Sequence, residues 1–488
     1  MEGIAGMHGS RDKVLIDRML TVLHHRGPDR TSVYQDDTGV LGGRCSRSHP
    51  GPPIATREGL AVVSDSYLFN REFLRRTIVP DAEPDASDAE LLLRIYRAIG
   101  TRMLGYIDGA FAIAILDGKR TILARDQYGI KPLYISSAKD RTVYSSEMKS
   151  QILCGSSFKP FPPGTFLSCG ERPQKIVPRE IPWANGPTPK TAEERLRSIL
   201  TQSVSSSQSA TGGFNVFLSG GIDSSVVAAA ATQVTEKVKT VCVGTRESED
   251  VRMARLVARE LGTEHVEGVY DAEEMHEVLD EVIYWAESYD YPLIRSCVPN
   301  FMAARLFRDR NLVTLCGEGG DEIFAGYDFF HTVKDESELR RVRIELLQGG
   351  RSTGFQRVDR MTAAASLDGR MPLMSHEMIE FGLGLGMKDL LGPKGANSKY
   401  VLRRAYKDLL PKEIVWRRKR KFSDGAGSMN LMAAMAEKLV SDREFEMRGK
   451  LRGGKSVRTK EEMLYYEIFR RHFPSESAIS SVGLTTRI

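Results

Sequence analysis

Two patterns of apolar and polar residues run along the chain, and the change between them falls near Thr191. Before it, short apolar runs of strand type, Leu60–Val63, Phe111–Leu116 and Thr121–Leu123, are separated by turn residues. Two stretches with helical spacing interrupt them, Asp12–His24 and Asp88–Ile99, the second opened by the capping pair Ser87 and Asp88. This mixture predicts an α+β domain over residues 1–170. The passage 171–190, with Pro173, Pro178, Pro182, Gly186, Pro187 and Pro189, reads as a linker. From 191 onward, strand candidates Phe214–Leu218, Thr240–Val243 and Leu312–Cys316 alternate with helix-length segments Ser225–Thr232, Val251–Leu261 and Asn300–Asp309. Such alternation predicts a parallel sheet covered by helices on both faces. Beyond about Leu339 the pattern is mainly helical up to residue 475, and the Ser/Thr-rich stretch 476–488 reads as a flexible tail.

The length of 488 residues suits two to four domains with a packed core in each. No apolar run approaches a membrane span, and no charged segment followed by an apolar one marks a signal peptide, so a cytoplasmic protein is expected. Six scattered cysteines without a C-x-x-C pair argue against a disulfide framework or a zinc site. A net charge of +5 is too small to predict nucleic-acid binding. The charge is nevertheless uneven: nine Lys/Arg face three Asp/Glu between Val401 and Gly425, around the basic run Arg417–Lys421. Such a run is ordinarily a solvated surface.

The sharpest local signal is Phe217-Leu218-Ser219-Gly220-Gly221-Ile222-Asp223-Ser224-Ser225. An apolar strand enters a Ser-Gly-Gly turn and then a helix, so that backbone amides and a helix N-terminus face one point suited to an anion. The hydroxyls of Ser219, Ser224 and Ser225 add donors, whereas Asp223 suits a magnesium ligand or a helix cap. No lysine follows, which separates this loop from the G-x-x-x-x-G-K-[ST] type; a plain strand-to-helix turn is the bland alternative. A second strand ends in Gly317-Glu318-Gly319-Gly320-Asp321-Glu322, glycine-rich and acidic. Ligands of open α/β sheets sit at the carboxyl ends of strands, so Asp321 is the natural metal partner of Asp223, with Glu318 left as a general base.

The first loop resembles the pyrophosphate loop of ATP pyrophosphatases. Together with Gly317–Tyr327, Glu287–Asp290, Ile294–Ser296, Lys399–Arg403 and Trp416–Gly425, it resembles the synthetase domain of glutamine-dependent asparagine synthetases. The resemblance implies two domains. The first is an N-terminal α+β Ntn-hydrolase-like sandwich. The second is a C-terminal α/β parallel-sheet ATP pyrophosphatase domain of adenine nucleotide α-hydrolase type, with added helices. It implies ATP and Mg²⁺ as cofactors, with Asp223 and Asp321 on the metal. Leu218, Ser219, Gly220, Gly221, Asp223, Ser224, Ser225, Val243 and Gly317 would lie around ATP and its pyrophosphate. Lys419 would reach the α-phosphate, which gives the basic run a purpose, and Glu318 would accept the amine proton. Asp290 and Arg295 would bind the amine and carboxylate of an aspartate-like acceptor.

The first domain resembles the glutaminase half of the same family through Gly3–Gly6, His25–Asp29, Ala124–Tyr134 and Ser146–Lys149. Working members carry cysteine after the initiator methionine; this chain has Glu2, and a carboxylate cannot replace that thiolate. Ser64-Asp65-Ser66 stands where an Asn-Gly-Glu segment is expected, while Asp88 still matches the acid that holds the substrate amine. The expectation is an ATP-dependent amide ligase that forms an acyl-adenylate and takes no nitrogen from glutamine. Relatives lacking the cysteine include β-lactam synthetases and lasso-peptide cyclases, so intramolecular amide formation is the alternative. Glu318 and Phe422–Gly425 are of the asparagine-synthetase type and favour ammonia or a separate amine. A tRNA-modifying enzyme or a nucleotide-binding scaffold would be the reading from another class. The expected partners are a small carboxylate and ammonia or an amine, with an ammonia-supplying protein and a homodimer as options, and neither nucleic acid nor membrane.

Overall fold

The computed structural model describes the chain except Met1, Ser48, Lys119 and residues 139–140, 180–190, 209–211, 308–311, 420–421, 449–455 and 486–488. It divides into two compact units: residues 1–213 with 310–313 and 366–384, and residues 214–309 with 314–365 and 385–488. The first division between the units falls at Gly213/Phe214; of the proline-rich passage expected to be a linker, residues 180–190 lie outside the described ones. Helix Ala192–Ser206 groups with the first unit.

In the first unit, strand Leu60–Leu68 is buried at all nine positions because both its faces are covered. Leu60, Val62 and Leu68 pack with helix Asp88–Ile99 residues such as Leu92 and Ile95, whereas Ala61 and Val63 pack with Ile4 and Leu41 of a facing sheet. Two six-stranded antiparallel sheets result. One runs Lys159–Pro160, Tyr134–Ala138, Arg141–Ser145, Glu2–His8, Gly39–Cys45, Arg30–Gln35. The other runs Gln174–Lys175, Thr165–Ser168, Thr121–Arg125, Gly109–Leu116, Leu60–Leu68, Ile54–Arg57. The predicted helices form as Lys13–Val22 and Asp88–Ile99, the latter capped by the Ser87 hydroxyl, which accepts from the Glu90 N–H at 3.1 Å.

In the second unit, Phe214–Phe217 pairs in parallel with Val238–Gly244, which pairs in parallel with Glu264–Val269; Val313–Leu315 lies on the far side of Phe214–Phe217. Glu264–Val269 escaped the sequence reading because it is a polar edge strand without a continuous apolar run. Helix Tyr291–Leu306 begins nine residues before the predicted Asn300. It runs through Pro299, a residue that ordinarily breaks a helix; burial of the surrounding turns against neighbouring helices outweighs the lost backbone hydrogen bond, a cost of about 3 kcal/mol. The stretch expected to be a flexible tail carries helix Glu476–Ser481 and is described as far as Thr485. All six cysteines are free thiols. Among the described residues no helix is long and apolar enough to cross a membrane.

A buried carboxyl in the first unit carries a pH dependence. Burial pushes Asp108 up to about 7, although its Oδ1 accepts the His376 N–H at 2.8 Å, and Glu377 adds to the shift. An unfolded aspartate titrates near ~3.9, so the protonated form is favoured in the folded state. Its contribution is fully present below about pH 4 and is lost as pH rises through 7. Melting curves at pH 6 and pH 8 should therefore show a smaller fall for Asp108→Asn than for the parent, with the variant the more stable at pH 8.

Candidate active site

Residues Ser219 to Gly221 form the turn between strand Phe214–Phe217 and helix Ile222–Val234, with Gly221 as the helix cap. Gly220 has φ +67°, and a side chain there would strike the backbone nitrogen of Ala254 in the neighbouring helix Glu249–Leu261. The serines tie the turn together: the Ser225 hydroxyl donates to the Gly221 carbonyl at 2.8 Å, and the Ser224 hydroxyl accepts the Ser219 N–H at 3.2 Å. Arg417 braces the turn from the basic run, donating to the Gly220 carbonyl at 3.3 Å and to Asp250 Oδ1 at 2.7 Å.

The acidic loop comes up against this turn. A Cβ on Gly317 would lie 2.7 Å from the Asp223 carbonyl carbon and from the Ser224 nitrogen, so only glycine permits the approach. Where the loops meet, the Lys399 ammonium bonds the Asp223 carboxylate and lies 2.6 Å from Asp321 Oδ1, while Lys419 Nζ lies 2.5 Å from Asp321 Oδ2. Burial alone would raise the Asp321 carboxyl, but Lys399 and Lys419 hold it far below the usual carboxylate range. Burial would likewise lower the Lys419 ammonium, yet Asp321 and Asp223 push it up, so both groups stay charged. Lys399 has φ +60°, a conformation uncommon for a non-glycine residue, and its side chain is buried. No spacing rule marks Lys399 in the sequence as a site residue.

Around this junction lies a cavity of about 1010 Å³ at the carboxyl ends of the strands. Leu218, Ser219, Asp223, Ser224, Val243, Gly317, Glu318, Asp321 and Lys419 line it, as does Arg295; Gly220, Gly221, Ser225 and Asp290 do not. The Glu318 carboxylate bonds the part-buried guanidinium of Arg357, which lies 5.2 Å from the Phe422 ring centroid. Arg357 is a second residue that local pattern did not reveal.

Two residues expected near the acceptor have partners within the chain. The Arg295 guanidinium pairs with Glu461, with Nε 2.9 Å from both carboxylate oxygens. Asp290 is fully buried and caps helix Tyr291–Leu306 through the Leu293 N–H at 3.3 Å. It also accepts from Arg458 and twice from Thr485. Neither partner, Glu461 nor Thr485, is close in sequence.

In the first unit, the Glu2 carboxylate lies 2.6 Å from His49 Nε2. Burial would lower the His49 imidazole, but Glu2 brings it up to about 10, and the pair is charged. Asp65 is held by Arg26 and Lys131 at 2.7 and 2.9 Å, and Asp88 by Arg71.

Compared with known proteins, residues 195–353 and 333–485 match the family described as asparagine synthase, and residues 1–159 a glutamine amidotransferase domain. The chain is 31% identical to asparagine synthetase [glutamine-hydrolyzing] 1 of Arabidopsis thaliana, over 98% of this chain and 88% of that protein. The chain belongs to the asparagine synthetase family. A probable asparagine synthetase of Dictyostelium discoideum is 30% identical over 94% and 90%. A glutamine-dependent NAD+ synthetase from Acinetobacter baumannii, solved with ADP, is 14% identical with a TM-score of 0.26, over 78% of this chain and 56% of that one. As a member of the asparagine synthetase family the chain is an ATP-dependent carbon–nitrogen ligase, with an antiparallel amidotransferase sandwich before a parallel-sheet nucleotide domain.

The close approach at Gly317 generates a test. Gly317→Ala forces the two loops apart, and overpacking of this kind costs about 1–3 kcal/mol. Titration calorimetry should show weakened ATP binding, whereas a similar change at Gly59, where a Cβ meets nothing within 4 Å, should leave ATP binding unchanged.

Proposed function

We propose that the second unit activates a small-molecule carboxylate as an acyl-adenylate and joins it to ammonia or another amine, releasing pyrophosphate and AMP. The observation that carries this reading is the meeting of the glycine-serine loop and the acidic loop at Asp223, Asp321, Lys399 and Lys419. An oxygen of the acceptor carboxylate attacks the α-phosphorus of ATP, and the bond from that phosphorus to the bridging oxygen of pyrophosphate breaks. The turn amides and the hydroxyls of Ser219 and Ser224 hold the departing pyrophosphate at the helix N-terminus. Lys419, kept cationic by its aspartates, offsets negative charge gathering at the α-phosphate.

Asp223 and Asp321 suit Mg²⁺. They are hard oxygen donors on separate loops, and Asp223 Oδ1 is buried without a hydrogen-bond partner among the described residues. No group of three His, Cys, Asp or Glu able to hold a metal occurs among those residues, so phosphate oxygens and water would complete the shell. When bound, the ion would neutralise phosphate charge. In the second half-reaction the amine attacks the adenylate carbonyl, AMP departs, and Glu318 takes the amine proton. Its pairing with Arg357 holds the carboxylate in the cavity wall.

The names of the relatives include glutamine hydrolysis. We propose that this chain does not perform it. At Glu2 a carboxylate is tied to His49, and Asp88 is tied to Arg71, so neither a nucleophile nor a free anchor for a substrate ammonium is offered there.

In a pyrophosphate-release assay crossing carboxylates with amines, Lys419→Met is expected to lower turnover about a hundred- to a thousandfold. Asp223→Asn should abolish adenylate formation. Glu318→Gln should retain carboxylate-dependent pyrophosphate exchange while slowing amide release; undiminished turnover in Asp223→Asn would remove the adenylation assignment. Incubation with glutamine should release no glutamate, and its release would refute the second proposal.

A further inference from the structure

The Lys399 ammonium bonds Asp223 Oδ2 and lies 2.6 Å from Asp321 Oδ1, so one oxygen of each carboxylate is directed at the same nitrogen. A metal ion held jointly by these two aspartates would need the space that this nitrogen fills. Lys419 Nζ takes the other oxygen of Asp321 at 2.5 Å.

The chain is shaped to bring Lys399 to that point. A Cβ on Gly326 would lie 2.1 Å from Lys399 Cε and 2.0 Å from Asp321 Oδ1, so only glycine leaves the lysine its passage. The Ser398 hydroxyl donates to the Gly326 carbonyl at 3.3 Å, and Arg403 Nε donates to the Ser398 carbonyl at 2.7 Å, which pins the backbone just before the lysine. Lys399 itself is held at φ +60°. Tying two loops together does not call for such an arrangement, because a buried ion pair adds little stability over apolar packing of the same volume. What a compact ammonium does supply is the charge and size of a small cation.

The charges at the junction balance without any other ion. Among the described residues, the carboxyl groups of Asp223, Asp321 and Glu322 act on the cations Lys399, Lys419 and Arg403. A divalent cation entering alone would leave a surplus of positive charge where little water can screen it, which is unfavourable. A cation that enters on a triphosphate brings its own counter-charge, and phosphate oxygens offer the displaced ammonium a new partner.

Resting on the adenylation reading above, with Asp223 and Asp321 as metal ligands, we infer that Lys399 is an internal stand-in for the metal. It keeps free divalent cations off the two aspartates and admits the ion only together with the nucleotide. Lys399 is thus a positioning residue, acting on the reaction through the carboxylates it holds.

The test titrates Mn²⁺ into the full chain without nucleotide and counts the unbound ion by electron paramagnetic resonance. The unaltered protein is expected to bind none at the aspartates. Lys399→Met should gain a Mn²⁺ site at least about tenfold tighter than any in the parent, the scale of one hydrogen bond between charged groups. Adding Asp223→Asn to that variant should remove the gained site, and Lys399→Arg, which keeps the charge, should exclude the ion as the parent does. Lys399→Gln serves as a second neutral variant, with melting temperatures as the check on folding; a purely structural lysine would alter those temperatures and create no Mn²⁺ site. Mn²⁺ bound by the nucleotide-free parent as tightly as by Lys399→Met, and lost with Asp223→Asn, overturns the inference and leaves the metal reading standing. So does the absence of a gained site in both neutral variants when folded. Calorimetry with an ATP analogue bridged by methylene between the α- and β-phosphorus separates the other case. Binding of that analogue indifferent both to Mg²⁺ and to Asp223→Asn overturns the metal reading, and the inference with it.

Discussion

Lys399 carries its ammonium group into a place where water is excluded and two carboxylates from separate loops converge on it. Three charges so close together are stable only as a set. Taking an ion out of water costs several kcal/mol, and the partners repay it only when their geometry is good. Asp321 accordingly has a second lysine, Lys419, on its other oxygen. The backbone around the set is built to allow it. Gly317 has no side chain to hold the loops apart, and Lys399 adopts a left-handed conformation that brings its side chain to the junction. The nucleotide end of the site depends on this cluster, because it fixes where the glycine-serine turn and the acidic loop stand relative to each other.

The same economy of paired charges runs through the rest of the cavity. Glu318 is held by Arg357, Arg295 by Glu461, and Asp290 by Arg458 and Thr485. A substrate entering such a wall finds most charges already satisfied, so it binds where its own groups can displace or extend an existing pair. Phosphate groups do this readily at a helix N-terminus flanked by lysines. The chemistry that the wall accepts is therefore set as much by internal pairings as by the residues that face the cavity.

The first unit is held by packing and register that do not involve the side chain at position 2. Its sandwich is specified by strands such as Leu60–Leu68, whose alternate residues fill the cores on either face. Glu2 lies at the start of an edgeless central strand paired on both sides, and its carboxylate finds His49 without disturbing that packing. The two sheets need apolar alternation and register; neither requirement involves the side chain at position 2.

The apolar runs, the two glycine-bearing turns and the change of pattern between the units are local properties, readable because a period of two or of 3.6 residues repeats within a few turns of chain. Asp223, Glu318, Asp321 and Lys419 were legible for that reason: each sits in a short segment whose neighbours are unusual. Glu264–Val269 and the first nine residues of Tyr291–Leu306 were not, since an edge strand need not be apolar and a buried helix can tolerate a proline. The partners of Arg295 and Asp290 lie 166 and 195 residues away, and Lys399 reaches Asp223 across 176. Which cation meets which carboxylate is decided by the elements that arrive beside each other when the unit packs. Asp223 and Asp290, of equal chemistry in the sequence, thus become a cavity-lining carboxylate and a buried strut only in the folded chain.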